Sequence, residues 1–250
     1  MHNAAFRALG LDWRYVKLPV TPELFAEAVR ALPGSGFRGA NVTIPHKVAA
    51  LELADRATEA ARGAGAANTL AFAADGAIDA DNTDAGGFLD ALGESPRGCA
   101  ALVLGAGGAA RAVVWALREE GAEVAVWNRT PERATALARN LGVRPVSVLE
   151  SAEIVVNATS VGLGARAGEP PDRAAGALGL EALEAPAVVV DLVYAEAETP
   201  VVAWGKRAGA HTVDGLEVLV RQGARSFERW TGERAPVEVM RAAASSGRVG

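Results

Sequence analysis

The feature that most limits how this chain can fold is a short apolar run, Ala100 to Leu104, that ends in Gly105-Ala106-Gly107-Gly108-Ala109-Ala110. Such a run suits a strand covered on both faces, and residues 109–120 that follow have the spacing of a helix. A G-x-G-x-x-G/A string at a strand–helix junction opens a dinucleotide-binding βαβ unit, here reaching to about Asn128. Gly105 permits the tight turn, Gly107 lets the backbone approach a pyrophosphate, and the small Ala110 lets helix and strand pack closely. The N–H groups and the positive end of the helix dipole then favour phosphate. The same string is also compatible with a tight turn that binds nothing; its strand–turn–helix setting favours the nucleotide.

The end of the second strand sets cofactor preference. An NAD site places Asp or Glu about 20 residues after the glycines, to accept from the ribose hydroxyls. Asn128-Arg129-Thr130 stands there instead, with Arg133 one helical turn beyond Arg129. Two guanidinium groups would hold a 2′-phosphate that an acid would repel, so NADP is the expected cofactor.

Around this unit the pattern is α/β. Strands are expected over 100–104, 123–127, 154–157 and 188–192, with helices over 109–120 and 131–141 and closing helices over 216–230 and 236–244. Upstream, strands at 13–20, 39–44, 67–72 and 77–80 alternate with helices at 22–32, 45–53 and 58–62, Thr21 and Pro22 reading as a helix start. A helix over 83–92 runs into the turn-rich stretch 93–98, a domain boundary. Residues 164–186 are poor in pattern and read as a loop with a short helix.

Several classes are disfavoured. A net charge of −5 and the lack of a basic stripe argue against a nucleic-acid surface, and no apolar stretch is long enough to span a membrane. Cys99 is the sole cysteine, and His2, His46 and His211 are too scattered for a zinc motif, so no metal is expected. Nothing at the N-terminus reads as a signal peptide, which makes the cytoplasm the expected compartment.

Further strings join the glycine turn: Asn41-Val42-Thr43-Ile44-Pro45-His46-Lys47, Ala67-Asn68-Thr69, Asp81-Asn82-Thr83-Asp84-Ala85-Gly86-Gly87, Asn157-Ala158-Thr159-Ser160-Val161-Gly162 and Asp214-Gly215-Leu216. Taken in order, they make the chain resemble the shikimate dehydrogenase family over nearly its whole length. The resemblance implies reversible, NADPH-dependent reduction of 3-dehydroshikimate to shikimate, in the route to aromatic amino acids. It implies two α/β domains, a substrate-binding one over 1–92 and a Rossmann-type NADP-binding one over 93–214, with helices in 215–250 returning to the first. Lys47 and Asp84 match the family's catalytic pair, and Thr43, Asn68, Tyr194 and Gln222 match substrate-site positions. Gly105, Ala106, Gly107, Gly108, Ala109, Asn128, Arg129, Thr130 and Arg133 match the cofactor site, and Thr159, Val193 and Gly215 match positions flanking the nicotinamide. The resemblance also admits a homodimer.

These residue types suit the chemistry on their own terms. Hydride addition to a ketone creates an alkoxide; a partly desolvated lysine can protonate it and stabilise the developing charge. In isolation each residue reads more blandly, Lys47 as a surface charge and Asp84 as a first-turn helix acid. Against that, the chain has only three lysines (Lys17, Lys47, Lys206) among its 25 basic residues, and a lysine kept amid arginines hints at a titratable amine. The family pattern also has a first strand and a Ser-x-Ser pair ahead of the His-Asn that here is His2-Asn3. A chain that truly begins at Met1 is expected to keep NADPH binding but to show a raised KM for shikimate. A quinate/shikimate dehydrogenase and a non-catalytic nucleotide-binding relative are the alternative readings.

Overall fold

The computed structural model describes residues 1–163, 178–195 and 197–246. Among these, two sheets are formed. The first contains β1 (Gly39–Asn41), β2 (Arg56–Ala57), β3 (Thr69–Phe72) and β4 (Ile78–Asp81), in the order β1-β3-β4-β2. β3 pairs antiparallel with both β1 and β4, and β2 runs parallel to β4. Phe25, Val29, Ala50 and Ala61 from three helices close a small core over Leu70, Phe72 and Ile78.

The second sheet is wholly parallel. It contains β5 (Ala100–Leu104), β6 (Glu123–Trp127), β7 (Arg144–Val146), β8 (Ile154–Asn157), β9 (Val188–Asp191) and β10 (His211–Val213), in the order β10-β9-β8-β5-β6-β7. This is the doubly wound dinucleotide-binding order, whose direction reverses between β5 and β8. Successive side chains point to opposite faces, so Ala101 and Val103 pack with Val113, Leu117 and Leu137 of helices Gly108–Glu119 and Pro131–Leu141. Leu102, Leu104 and Val155 pack with Val201 and Trp204 of helix Pro200–Arg207 on the other face. Two covered faces explain why the strands read as unbroken apolar runs.

The chain then returns to its first half. Helix Gly215–Thr231 crosses helix Thr83–Leu92 closely because Gly87 lacks a side chain: a Cβ there would lie 2.5 Å from the backbone nitrogen of Gln222. At the far end of the same helix, Trp230 Nε1 donates to the Leu70 carbonyl of β3 at 2.9 Å, and its ring lies over Gly39. Helices His2–Ala8 and Val237–Ser246 share a separate cluster with Phe6, Phe227 and Met240.

Strands β5, β6 and β8 and helices Thr83–Leu92 and Pro131–Leu141 have the bounds expected from the sequence. One expected strand does not form. Residues 13–20 join no ladder; the Asn3 side chain takes both the N–H and the C=O of Tyr15, and Val16 and Leu18 stand half exposed. The expected 22–32 helix divides into a 3₁₀ turn, Pro22–Leu24, and helix Phe25–Ala31, and Thr21 makes no side-chain cap. Strands β2, β7 and β10 and helices His2–Ala8 and Pro200–Arg207 were not anticipated. The edge strands have two or three residues, too few to show a period, and β7 includes Pro145, tolerated only at an edge or bulge. Helix Pro200–Arg207 was signalled by Thr199-Pro200, since Thr199 caps it by accepting from Val202 N–H. Of the pattern-poor loop, residues 164–177 lie outside the described residues, and the rest includes a 3₁₀ turn, Leu180–Ala182.

Gly87→Ala is expected to lower unfolding free energy by about 1–3 kcal/mol, as overpacking against backbone does. The urea midpoint checks this, with Gly34→Ala, which faces open space, as the unchanged control.

Candidate active site

Two strand ends build the first half of the site. β1 stops at Asn41, and Val42 N–H bonds to the Asn68 carbonyl at 2.7 Å before the chain turns through 43–46. Thr43 is left exposed on this turn, and Lys47 begins helix Lys47–Glu52. His46, stacked on Phe25 and bonded to the Val20 carbonyl, anchors the turn. β4 stops at Asp81, and Asn82 caps the next helix by accepting from Ala85 N–H, which sets Asp84 in its first turn.

These turns bring Lys47 Nζ to 2.6 Å from Asp84 Oδ2, with only 13% and 19% of the two side chains exposed. A cation at a helix start opposes the helix dipole, so Lys47 needs the neighbouring acid, whereas Asp84 is favoured at the start of its own helix. Asp84 Oδ1 accepts from Asn68 Nδ2 at 2.8 Å. Asn68 is buried and oriented by Thr83 N–H, which donates to its Oδ1 at 2.7 Å, and its amide also donates to Gln222 Oε1 at 3.3 Å. Gln222 belongs to helix Gly215–Thr231, so the close crossing at Gly87 is what delivers it. Lys47, Asp84, Asn68 and Gln222 thus form one connected polar group.

The glycine turn lies against this group. A Cβ on Gly108 would lie 3.2 Å from Lys47 Cδ, so the aliphatic stem of Lys47 passes the start of helix Gly108–Glu119. Gly105 has φ near +117°, and a Cβ there would strike the Ala158 carbonyl at 2.6 Å. A Cβ on Gly107, the residue before the helix, would meet nothing within 4 Å, and no side chain among the described residues caps that helix. An uncapped helix start with room before it fits a pyrophosphate. Past β6, Asn128 Nδ2 donates to the Thr130 carbonyl at 2.9 Å, shaping a turn from which Arg129 and Arg133 stand exposed. Ala106 and Ala109 are half-buried in the glycine turn.

The remaining expected residues lie past the ends of β8, β9 and β10. Thr159 donates from both its N–H (3.1 Å) and its hydroxyl (2.6 Å) to Asn157 Oδ1. Val193 is buried, and Gly215 packs so closely on it that a Cβ would lie 2.3 Å from the Val193 carbonyl oxygen. The hydroxyl of Tyr194 donates to the Ala244 carbonyl at 3.2 Å. Asp191, fully buried beneath this region, was not singled out from the sequence. Its signal was a lone acid closing the apolar run Val188-Val189-Val190. Burial pushes its carboxyl up to about 6 despite bonds from Thr199, Val193 N–H and Asn157.

Comparison with known proteins bears on this geometry. Residues 1–70 match a model of the shikimate dehydrogenase substrate binding domain, 90–167 a shikimate/quinate 5-dehydrogenase model, and 215–244 a shikimate 5′-dehydrogenase C-terminal domain model. The NADP(+) shikimate dehydrogenase of Paracoccus denitrificans is 45% identical over 252 residues, covering 95% of this chain and 87% of that protein. The chain belongs to the shikimate dehydrogenase family. A second relative, the NADP(+) shikimate dehydrogenase of Methanopyrus kandleri, is 44% identical, with 97% of this chain and 88% of that protein covered. The shikimate 5-dehydrogenase of Thermus thermophilus, solved with NADP(H) and shikimate, superimposes with a TM-score of 0.87 at 40% identity, covering 98% of this chain and 92% of that one.

The raised Asp191 pKa gives a signed expectation. With a folded value near 6 against the ordinary 3.8, its stabilising contribution is full below about 4 and lost as pH rises through 6. Relative to Asp191→Asn, the wild type is therefore expected to lose up to about 3 kcal/mol between pH 4 and 7 in chemical denaturation.

Proposed function

We propose that this protein catalyses the reversible reduction of 3-dehydroshikimate to shikimate with NADPH, in the route to aromatic amino acids. The observation that carries the reading is the shielded Lys47–Asp84 pair at 2.6 Å, set against Gly108 of the glycine turn in a chain of this family. NADPH, when bound, supplies the hydride. Lys47 holds a proton on Nζ where the ketone oxygen gains charge, gives it to that oxygen, and takes it back in the reverse direction. Asp84 aims the ammonium and accepts from a substrate hydroxyl. Asn68 and Gln222 hold further ring hydroxyls, with Thr43 and Tyr194 at the edge of the substrate space. The turn from Gly105 through Ala109, including Ala106, Gly107 and Gly108, receives the pyrophosphate. Asn128, Arg129, Thr130 and Arg133 receive the 2′-phosphoadenosine, and Thr159, Val193 and Gly215 flank the nicotinamide.

Residues 1–92 form the substrate half in this reading, 93–214 the cofactor half, and 215–250 the return that joins Gln222 to Asn68. We place the enzyme in the cytoplasm, where a soluble NADPH pool supplies it. No helix among the described residues is long and apolar enough to cross a membrane.

NADPH absorbance, followed with shikimate or quinate and with NADP⁺ or NAD⁺, tests the activity. Shikimate with NADP⁺ is expected to be the best pair; no turnover of it by the folded chain would overturn the reading. Lys47→Ala is expected to lower kcat on the order of 10²–10⁴-fold with KM for shikimate little moved. Replacing Arg129 and Arg133 by Ala is expected to raise KM for NADP⁺ about 10- to 100-fold and leave NAD⁺ kinetics unchanged, the loss expected for charge-assisted bonds of about 1.5–3 kcal/mol.

A further inference from the structure

The carboxyl edge of the parallel sheet holds a buried acid that hydride transfer does not use directly. Asp191 ends β9 and is 0% exposed. Its Oδ1 accepts from Asn157 Nδ2 at 2.8 Å and from Val193 N–H at 2.9 Å, and its Oδ2 accepts from the Thr199 hydroxyl. These donors are neutral, and among the described residues the charge acting on the carboxylate is Asp214, of like sign. An unpaired buried carboxylate costs several kcal/mol, so its presence asks for a reason.

The reason lies in what its three bonds reach. Asn157, held by Asp191, accepts from both the N–H and the hydroxyl of Thr159 and donates to the Val161 carbonyl at 3.2 Å. Ala158 between them bonds to the Leu104 carbonyl and closes over Gly105. Val193, held directly, is the floor on which Gly215 packs. Thr199 caps helix Pro200–Arg207. One carboxylate therefore ties together the segments after β8 and β9 and a helix start.

Dinucleotides lie across the carboxyl edge at the point where strand order reverses, here between β5 and β8. With phosphates at the glycine turn after β5 and the adenosine end toward Arg129 after β6, the reactive end extends toward β8 and β9. We infer that Asp191 is a positioning residue that sets the wall against which the nicotinamide rests, acting through Asn157 and the Val193 backbone. A carboxylate suits this place because every neighbour donates. Asparagine would keep one acceptor oxygen for Asn157 and Val193 and turn its amide toward Thr199 Oγ1, whereas alanine would strand all three donors.

This inference rests on the NADPH reading above, and its test separates the two. Calorimetry on the full chain measures Kd for NADPH and for adenosine 2′,5′-bisphosphate, which lacks the nicotinamide half. Asp191→Ala is expected to weaken NADPH about tenfold and leave the bisphosphate within about twofold, with Asp191→Asn recovering most of the loss. Should the alanine variant fail to fold, Asn157→Ala, which cuts the links to Thr159 and Val161 and leaves the bonds of Asp191 to Val193 and Thr199, is expected to give the same split. Unchanged NADPH binding in the folded variant would overturn the inference, as would parallel weakening of both ligands or an asparagine variant no better than alanine. The same split in a chain that does not oxidise shikimate would uphold the inference and sink the substrate assignment instead.

Discussion

The crossing of helix Thr83–Leu92 with helix Gly215–Thr231 is the contact on which the rest of the molecule depends. It is possible because Gly87 presents bare backbone to Gln222. The first helix carries Asp84, and the second carries Gln222 within hydrogen-bond reach of Asn68. The same second helix starts at Gly215 on the Val193 carbonyl and ends with Trp230 on β3. A single rigid element thereby touches the cofactor sheet at one end and the smaller sheet at the other.

Electrostatics follow from that frame. Lys47 would be poorly placed at a helix start by itself, and Asp84 compensates it from another helix start. Asn68, itself buried and held by Thr83, completes the acceptor side of Asp84. The ammonium is thus held by a chain of bonds whose members are fixed by packing, as the proton-donor role proposed for Lys47 requires. At the end of β9 the logic is repeated with a different acid: Asp191 gathers neutral donors from three segments.

Much of the cofactor half was legible in the sequence because its signals are local. An apolar strand, a glycine turn and an amphipathic helix are read within one stretch, and β5, β6, β8 and helix Pro131–Leu141 fall where their patterns put them. Less of the first half was. Residues 13–20 have a strand's alternation, but alternation does not say whether a partner strand lies alongside, and the backbone groups of Tyr15 bond to Asn3 instead. The edge strands β2, β7 and β10 were too short for any period to appear. Asp191 was overlooked because an acid closing a strand looks like a solvated end until the segments folded over it are known.

The sequence by itself determined the glycine-rich strand–helix turn, the absence of an acid after β6 where Asn128 and Arg129 stand, and the kinds of side chain that could move a proton. These are properties of neighbours along the chain, set by backbone freedom at glycine and by charge. Only the tertiary structure decided that Lys47 and Asp84, 37 positions apart, meet at 2.6 Å, that Gln222 reaches Asn68 across 154 positions, and that Asp191 is fully buried. Those facts depend on how closely two helices cross and on which groups a fold removes from solvent, and both are set by packing between segments remote in the chain.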